Sequence, residues 1–192
     1  MDPKSGRKAQ TRERILETAA RAIRRGGYQG IGVADIMKEA GLTHGGFYAH
    51  FDSRDAMLAA ALERAGQDAA ERIAQAMARR QARGSAPLRA LVESYLHDST
   101  LASPEQGCPV AALASEMPRQ SVLVREASVR RIEGLIDKVR EALPPEAPAG
   151  RAELITSQMV GALQLARALG DNEAGRALLA ANREALLAGA PH

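Results

Sequence analysis

Apolar residues recur along this chain at helical rather than strand spacing, from near its start to near its end. Between about Lys8 and Arg25, Ile15, Ala19, Ala22 and Ile23 fall on one side of a helix, with Arg14, Arg21 and Arg25 elsewhere. Gly26-Gly27 stops that helix. A short helix follows from about Val33 to Ala40, with Ala34, Ile36, Met37 and Ala40 on its apolar side and Asp35, Lys38 and Glu39 left polar. Gly41-Leu42 makes a tight turn, because Gly41 can take the left-handed conformation that ends a helix, and Thr43 suits the cap of the next one. After Ser53, a suitable N-cap, a long helix is expected from about Arg54 to Arg80.

The remaining chain repeats this texture. Gly84-Ser85-Ala86-Pro87 is a break, with Pro87 suited to the first turn of a helix carrying Leu88, Leu91, Val92, Tyr95 and Leu96. Ser103-Pro104 ends it, and a shorter segment starts near Pro109. A long amphipathic helix is expected from about Arg119 to Leu143, followed by a rigid loop at Pro144-Pro145 and Pro148. Two more helices span about Arg151–Leu169 and Asn172–Ala188. The first of them is apolar on two sides, one formed by Ile155, Met159, Ala162, Ala166 and Leu169, the other by Leu154, Gly161 and Leu165. A helix apolar on two sides needs two partners, and a second subunit can be one of them.

Composition narrows the class to all-α. With 45% hydrophobic but only 3% aromatic residues and no Trp, the core must be built from Ala, Leu, Ile, Val and Met. Net charge is only +3, but its distribution is uneven. Residues 1–50 hold nine Lys/Arg against five Asp/Glu, while residues 51–192 hold seventeen against eighteen. The positive excess therefore sits with the two short helices and the helix before them, where attraction to phosphate would need it.

Two short helices joined by a Gly-containing turn are the pattern of a helix-turn-helix, whose second helix enters the major groove of DNA. The block AGLTHGGFYAHFDSRDAML, preceded by a basic amphipathic helix and Gly27-Tyr28, resembles the DNA-binding domain of the tetracycline-repressor (TetR) family. The resemblance is strong over roughly residues 8–62 and rests on Asp35, Ile36, Ala40-Gly41-Leu42-Thr43, Gly45, Tyr48, Phe51 and Ser53-Arg54-Asp55. Three positions depart from the family pattern: Ile31-Gly32 stands where a Thr/Ser pair is usual, Met37 where Ala is usual, and Gly46 where Thr is frequent.

The resemblance implies a three-helix DNA-binding domain over residues 1–52 and a larger helical ligand-binding and dimerisation domain over 53–192. It further implies that Thr43, His44, Gly45, Phe47, Tyr48 and His50 face or flank the DNA. The hydroxyls of Thr43 and Tyr48 suit phosphate, His44 suits a base edge or phosphate, Phe47 a thymine methyl, and Arg54 a backbone phosphate. Phe51 is expected in the core. Two such units related by a two-fold axis would read the half-sites of a palindromic operator on double-stranded DNA, so the implied state is a homodimer joined through the last two helices of each subunit.

An effector cavity between the central helices is also implied. Its expected lining is mostly aliphatic, with Leu91, Leu113, Met117 and Met159 as walls and Tyr95, His97, Gln158 and Gln164 as polar groups. Cys108, in Gly107-Cys108-Pro109 at an expected helix start, is either a packing residue or a thiol sensor. The effector itself is not legible.

Other classes find little support. A single cysteine forms no intramolecular disulfide, no Cys/His metal cluster is spaced for a ligand set, and no cofactor is expected. No segment reaches membrane-spanning length, and the polar N-terminus is unlike a secretory signal, so a cytoplasmic protein is expected. The chain shows no nucleophile–base–acid constellation and no phosphate-binding Gly loop, which argues against an enzyme. A helical interaction protein that does not bind DNA is the competing reading. It would explain the helices but not the recognition block or the basic N-terminal excess.

Overall fold

In the computed structural model, which describes residues 3–188, every regular element among the described residues is helical. The order is α1 (Pro3–Gly26), α2 (Val33–Glu39), a 3-10 segment (His44–Ala49), α3 (Arg54–Gln81), α4 (Pro87–Tyr95), α5 (Ser99–Ala102), α6 (Pro109–Leu113), α7 (Val122–Ala142), α8 (Arg151–Leu169) and α9 (Glu173–Leu187). Short 3-10 turns lie at Pro104–Gln106 and Met117–Arg119. The outermost residues of the expected domain ranges, 1–2 and 189–192, lie outside the described residues. No helix among the described residues is long and apolar enough to cross a membrane.

One hydrophobic cluster runs from Ile15 on α1 to Leu186 on α9. Its N-terminal end is built where α1 buries Ile15, Leu16, Ala19 and Ile23 and α3 buries Met57, Leu58, Ala61 and Leu62. Small residues such as Ala19, Ala61 and Ala65 let these two helices approach closely. Arg64 on α3 adds charge pairs to Glu17 at 2.9 Å, to Asp68 at 2.7 Å and to Glu13. α3, which lies wholly in the second expected range, thus begins at the turn following the recognition segment and continues into the regulatory helices, so its packing on α1 joins the two ranges.

Several helix ends follow the expected chemistry. Ser53 caps α3 by accepting the Ala56 N–H at 3.1 Å, and Asn172 caps α9 by accepting the Gly175 N–H at 3.1 Å. Pro87 opens α4 at its first turn. Other ends differ. The helix expected to continue through Leu96 toward Ser103 breaks after Tyr95 and restarts at Ser99. Arg183 from α9 accounts for the break, donating to the Leu96 carbonyl and pairing with Asp98 at 2.8 Å. α7 begins at Val122 rather than near Arg119, because Pro118 sits in a 3-10 turn that precedes it.

The loops before and after α6 attach the end of α1 to the regulatory helices. Arg24, only 4% exposed, donates to the Ala20 carbonyl on its own helix, to the Ala65 carbonyl of α3 at 3.2 Å and to the Gly107 carbonyl before α6 at 3.4 Å. It also lies 3.6 Å from the Asp68 carboxylate. Burial lowers its pKa to about 10, so Arg24 remains a cation at neutral pH. On the far side of α6, Glu116 accepts the Tyr28 N–H at 3.0 Å. Gly27 makes room for that carboxylate: its φ is +74°, and a Cβ there would sit 2.3 Å from Glu116 Oε1.

Candidate nucleic-acid interface

The turn between α2 and the 3-10 segment is fixed by backbone hydrogen bonds. Gly41 has φ +68°, its N–H reaches the Lys38 carbonyl at 3.0 Å, and the Leu42 N–H reaches the Met37 carbonyl at 2.8 Å. These two bonds form a Schellman motif, which satisfies carbonyls left open at the end of α2. Thr43 follows in extended conformation at the N-cap position. Contrary to expectation, its hydroxyl makes no capping bond; only its carbonyl holds the next turn, through the Gly46 N–H at 3.1 Å. The side chain is left exposed.

The expected second short helix is a 3-10 segment over His44–Ala49. Gly45-Gly46 supplies the reason. Each Gly weakens an α-helix by roughly 1 kcal/mol relative to Ala, and the segment is too short to recover that through its own hydrogen bonds. Beneath it, Ile36, Met37, Phe47 and Phe51 are buried. Above it, Thr43, His44, Gly45 and Tyr48 are exposed, Tyr48 at 73%. The Phe47 ring props Tyr48 outward, with centroids 5.2 Å apart in an edge contact, and lies 5.7 Å from the stacked Phe51 ring.

Two expected contacts are corrected by this geometry. Phe47, at 1% exposure, is a core residue and presents nothing to a thymine methyl. Arg54 turns inward, its Nη2 donating to the Tyr28 carbonyl, so it braces the start of α3 against the loop after α1 instead of standing free for phosphate. The basic residues at the outer edge come from α1. The Arg12 guanidinium lies 5.0 Å over the Phe51 ring, and Arg12 and Lys8 both act on His50. Burial, and then those two positive charges, hold the His50 imidazole below its ordinary pKa. The sequence shows the positive excess of residues 1–50, but nothing in it joins Lys8 and Arg12 to His50. Their i, i+4 spacing on α1 was the available signal.

On the regulatory side the expected ligand residues are dispersed. Tyr95, Leu113, Met117 and Met159 are buried in the core. Tyr95 is fully enclosed, and burial raises its hydroxyl well above its ordinary pKa. Gln158 corrects the expectation most plainly, since it is exposed and donates to Asn182 of α9 at 3.1 Å. Cys108 precedes α6 and is 7% exposed and unbridged. Leu91 borders a cleft formed between α3, α6 and α7 by Gly66, Ala69, Ala70, Ile73, Pro109, Val110, Arg131, Gly134, Leu135 and Lys138, while His97 borders a separate polar groove with Arg80, Arg89, Glu93 and Arg183. Apart from Leu91, none of the cleft residues is among the ligand residues expected from the sequence. Among the described residues no cluster of three His, Cys, Asp or Glu side chains is placed to hold a metal.

Comparison with known proteins gives the same picture. Residues 15–61 match the family model described as bacterial regulatory proteins, tetR family. An uncharacterized HTH-type transcriptional regulator of Mycobacterium tuberculosis is 29% identical over 167 residues, covering 81% of this chain and 84% of that protein. The solved structure of a TetR transcriptional regulator from Chloroflexus aurantiacus J-10-FL is similar at 27% identity and TM-score 0.76, over 95% of this chain and 94% of that one. A TetR-family regulator from Agrobacterium tumefaciens shares the fold at 23% identity and TM-score 0.74, covering 95% and 98%.

Proposed function

The chain is a DNA-binding transcriptional regulator of the tetR family, and from that premise we propose that it acts in the cytoplasm as a homodimeric repressor released from a palindromic operator by a small molecule. The observation that carries the DNA side of this reading is the exposed edge of Thr43, His44, Gly45 and Tyr48, bordered by Lys8, Arg12 and His50 and held over a buried base of Ile36, Met37 and Phe47. In this reading the hydroxyls and cations of that edge take phosphate oxygens, and the 3-10 segment brings backbone close to the groove at Gly45-Gly46.

The dimer is supported by one face of α8 and α9. Leu154, Leu165 and Leu169 stay exposed on α8, Leu165 at 60%, while Ala174, Ala177, Ala181 and Ala185 are exposed along α9. Large apolar residues beside a small-residue stripe suit close packing against a second copy of the same two helices. Release is supported by the position of α6. Pro109 and Val110 wall the cleft, while the flanking Gly107 and Glu116 hold the end of α1. A ligand that displaces α6 would therefore bias the orientation of α1 and the recognition segment, the coupling that release requires.

A gel-shift assay with DNA from upstream of the protein's own gene tests the reading. Repeated with a metabolite library, it should find a fragment bound at nanomolar to tens-of-nanomolar concentration and a compound that frees it. Absence of any retarded fragment would contradict DNA binding. A bound fragment that no compound releases would contradict the inducible part.

A further inference from the structure

The cleft between α3, α6 and α7 has a volume of about 130 Å³. An apolar cavity of roughly 150 Å³ holds one benzene molecule, which sets the scale of an occupant. Its body is hydrocarbon, chiefly Ile73, Leu91, Val110 and Leu135. Its lining contains two ionisable side chains, Arg131 and Lys138, both cations, and no carboxylate.

Neither cation is fully committed. Glu63 is shared between Arg130, at 2.8 Å from its Nε, and Arg131, at 2.9 Å from its Nε. One carboxylate therefore serves two guanidiniums. The Arg131 Nε is buried against that carboxylate, yet the side chain as a whole stays 27% exposed. Lys138 pairs with Glu141 at 3.0 Å across one turn of α7, an exposed pair of the kind that contributes little to stability and yields readily to a competing anion. The Arg131 side chain lies across Gly66, and Gly134 opens onto empty space, with no heavy atom within 4 Å of where its Cβ would be. The two glycines thus leave one wall filled by a cation and the other vacant.

We propose that this cleft binds a small monocarboxylate with a body about the size of one aromatic ring, its carboxylate held by Arg131 and Lys138 and its ring against Ile73, Leu91, Val110 and Leu135. This rests on the reading of the protein as a small-molecule-responsive regulator and specifies its ligand class. An uncharged ring of the same shape would leave the positive charge of the lining unmatched and a cationic one would meet like charge, and both are excluded on that ground.

The test uses the full chain and three near-isosteric probes, benzoate, benzamide and benzylamine, with binding read by calorimetry and thermal shift in the absence of DNA. Benzoate is expected to bind the parent protein at least tenfold more tightly than the other two. Gly134→Leu, which fills the vacant side, should abolish that binding, and Lys138→Met should weaken it about tenfold, with circular dichroism melts checking that both variants fold. Preference for benzamide or benzylamine would overturn the class, as would binding of none of the three. Benzoate binding that both variants retain would overturn the site. Benzoate binding without release of DNA would leave this inference standing and count against the release mechanism alone.

Discussion

His50 illustrates how a single residue can report contact with DNA. In the free protein burial, and then the charges of Lys8 and Arg12, hold its pKa below the ordinary value. Phosphate arriving at those cations would offset their repulsion and raise the imidazole pKa, so a proton is taken up on binding. The sign follows: operator affinity should increase as pH falls through the interval between the bound pKa and the lower free one. Anisotropy titrations across pH 5.5–8 check this, and His50→Gln should flatten the profile; an unchanged profile in that variant would place His50 away from the phosphates. Arg12→Gln should reduce the salt dependence of binding by about one counterion. Cys108 leads to a different expectation. At 7% exposure its thiol should be alkylated slowly in the folded protein, and labelling should leave DNA affinity unchanged. Fast labelling that abolishes DNA binding, with Cys108→Ser protected, would restore the sensor role. At this scale the sequence exposed residue types but not their directions. Phe47 and Tyr48 are adjacent aromatics on a 3-10 turn, one buried and one exposed, and only the packing of Phe47 on Phe51 decides which is which.

Among the elements, helices with strong local signals were legible in full. The bounds of α8 could be read directly, because Gly150 and Gly170 flank an uninterrupted apolar pattern; Ile155, Met159, Ala162 and Ala166 face inward and Leu154 and Leu165 outward as expected, whereas Leu169, expected with the inward side, is exposed at the last turn. What remained illegible depended on contacts distant in sequence. The break after Tyr95 is held by Arg183, 87 positions from Leu96, together with a local turn in which His97 Nδ1 accepts the Ser99 N–H at 3.2 Å. The outward side of α8 gives the element-scale prediction. Leu165→Glu places a charge where a second subunit would bury it, so sedimentation should show monomers at micromolar concentration, with operator affinity reduced at least a hundredfold. A variant as dimeric as the parent would place the interface elsewhere. The attachment of α1 gives another. Arg24→Met removes donors from the Ala65 and Gly107 carbonyls and leaves Asp68 paired with Arg64 alone, which should cost about 3 kcal/mol in urea unfolding, chiefly through the two buried carbonyls left without donors. A loss within about 0.5 kcal/mol would show that the lock is not needed for stability.

At the scale of the molecule, the recognition segment, α1 and the cleft are linked through α3 and the two loops around α6. The sequence displayed the recognition block plainly, because its turn chemistry is local: a left-handed Gly, a capped helix start at Ser53, apolar residues beneath. The cleft left no such trace. Its lining comes from four helices, and the features that distinguish it are two glycines and two cations, of which Gly66 on α3 is far in sequence from Arg131, Gly134 and Lys138 on α7. The central claim is that two copies of the Thr43–His50 edge read a two-fold DNA site. Selection of bound sequences from a random duplex pool by the full-length protein tests it most directly. The account predicts enrichment of an inverted repeat whose half-site centres lie about one helical turn, or a whole number of turns, apart, and loss of that enrichment in Tyr48→Ala and Leu165→Glu. Recovery of no motif, or of an asymmetric motif bound equally well by both variants, would contradict it.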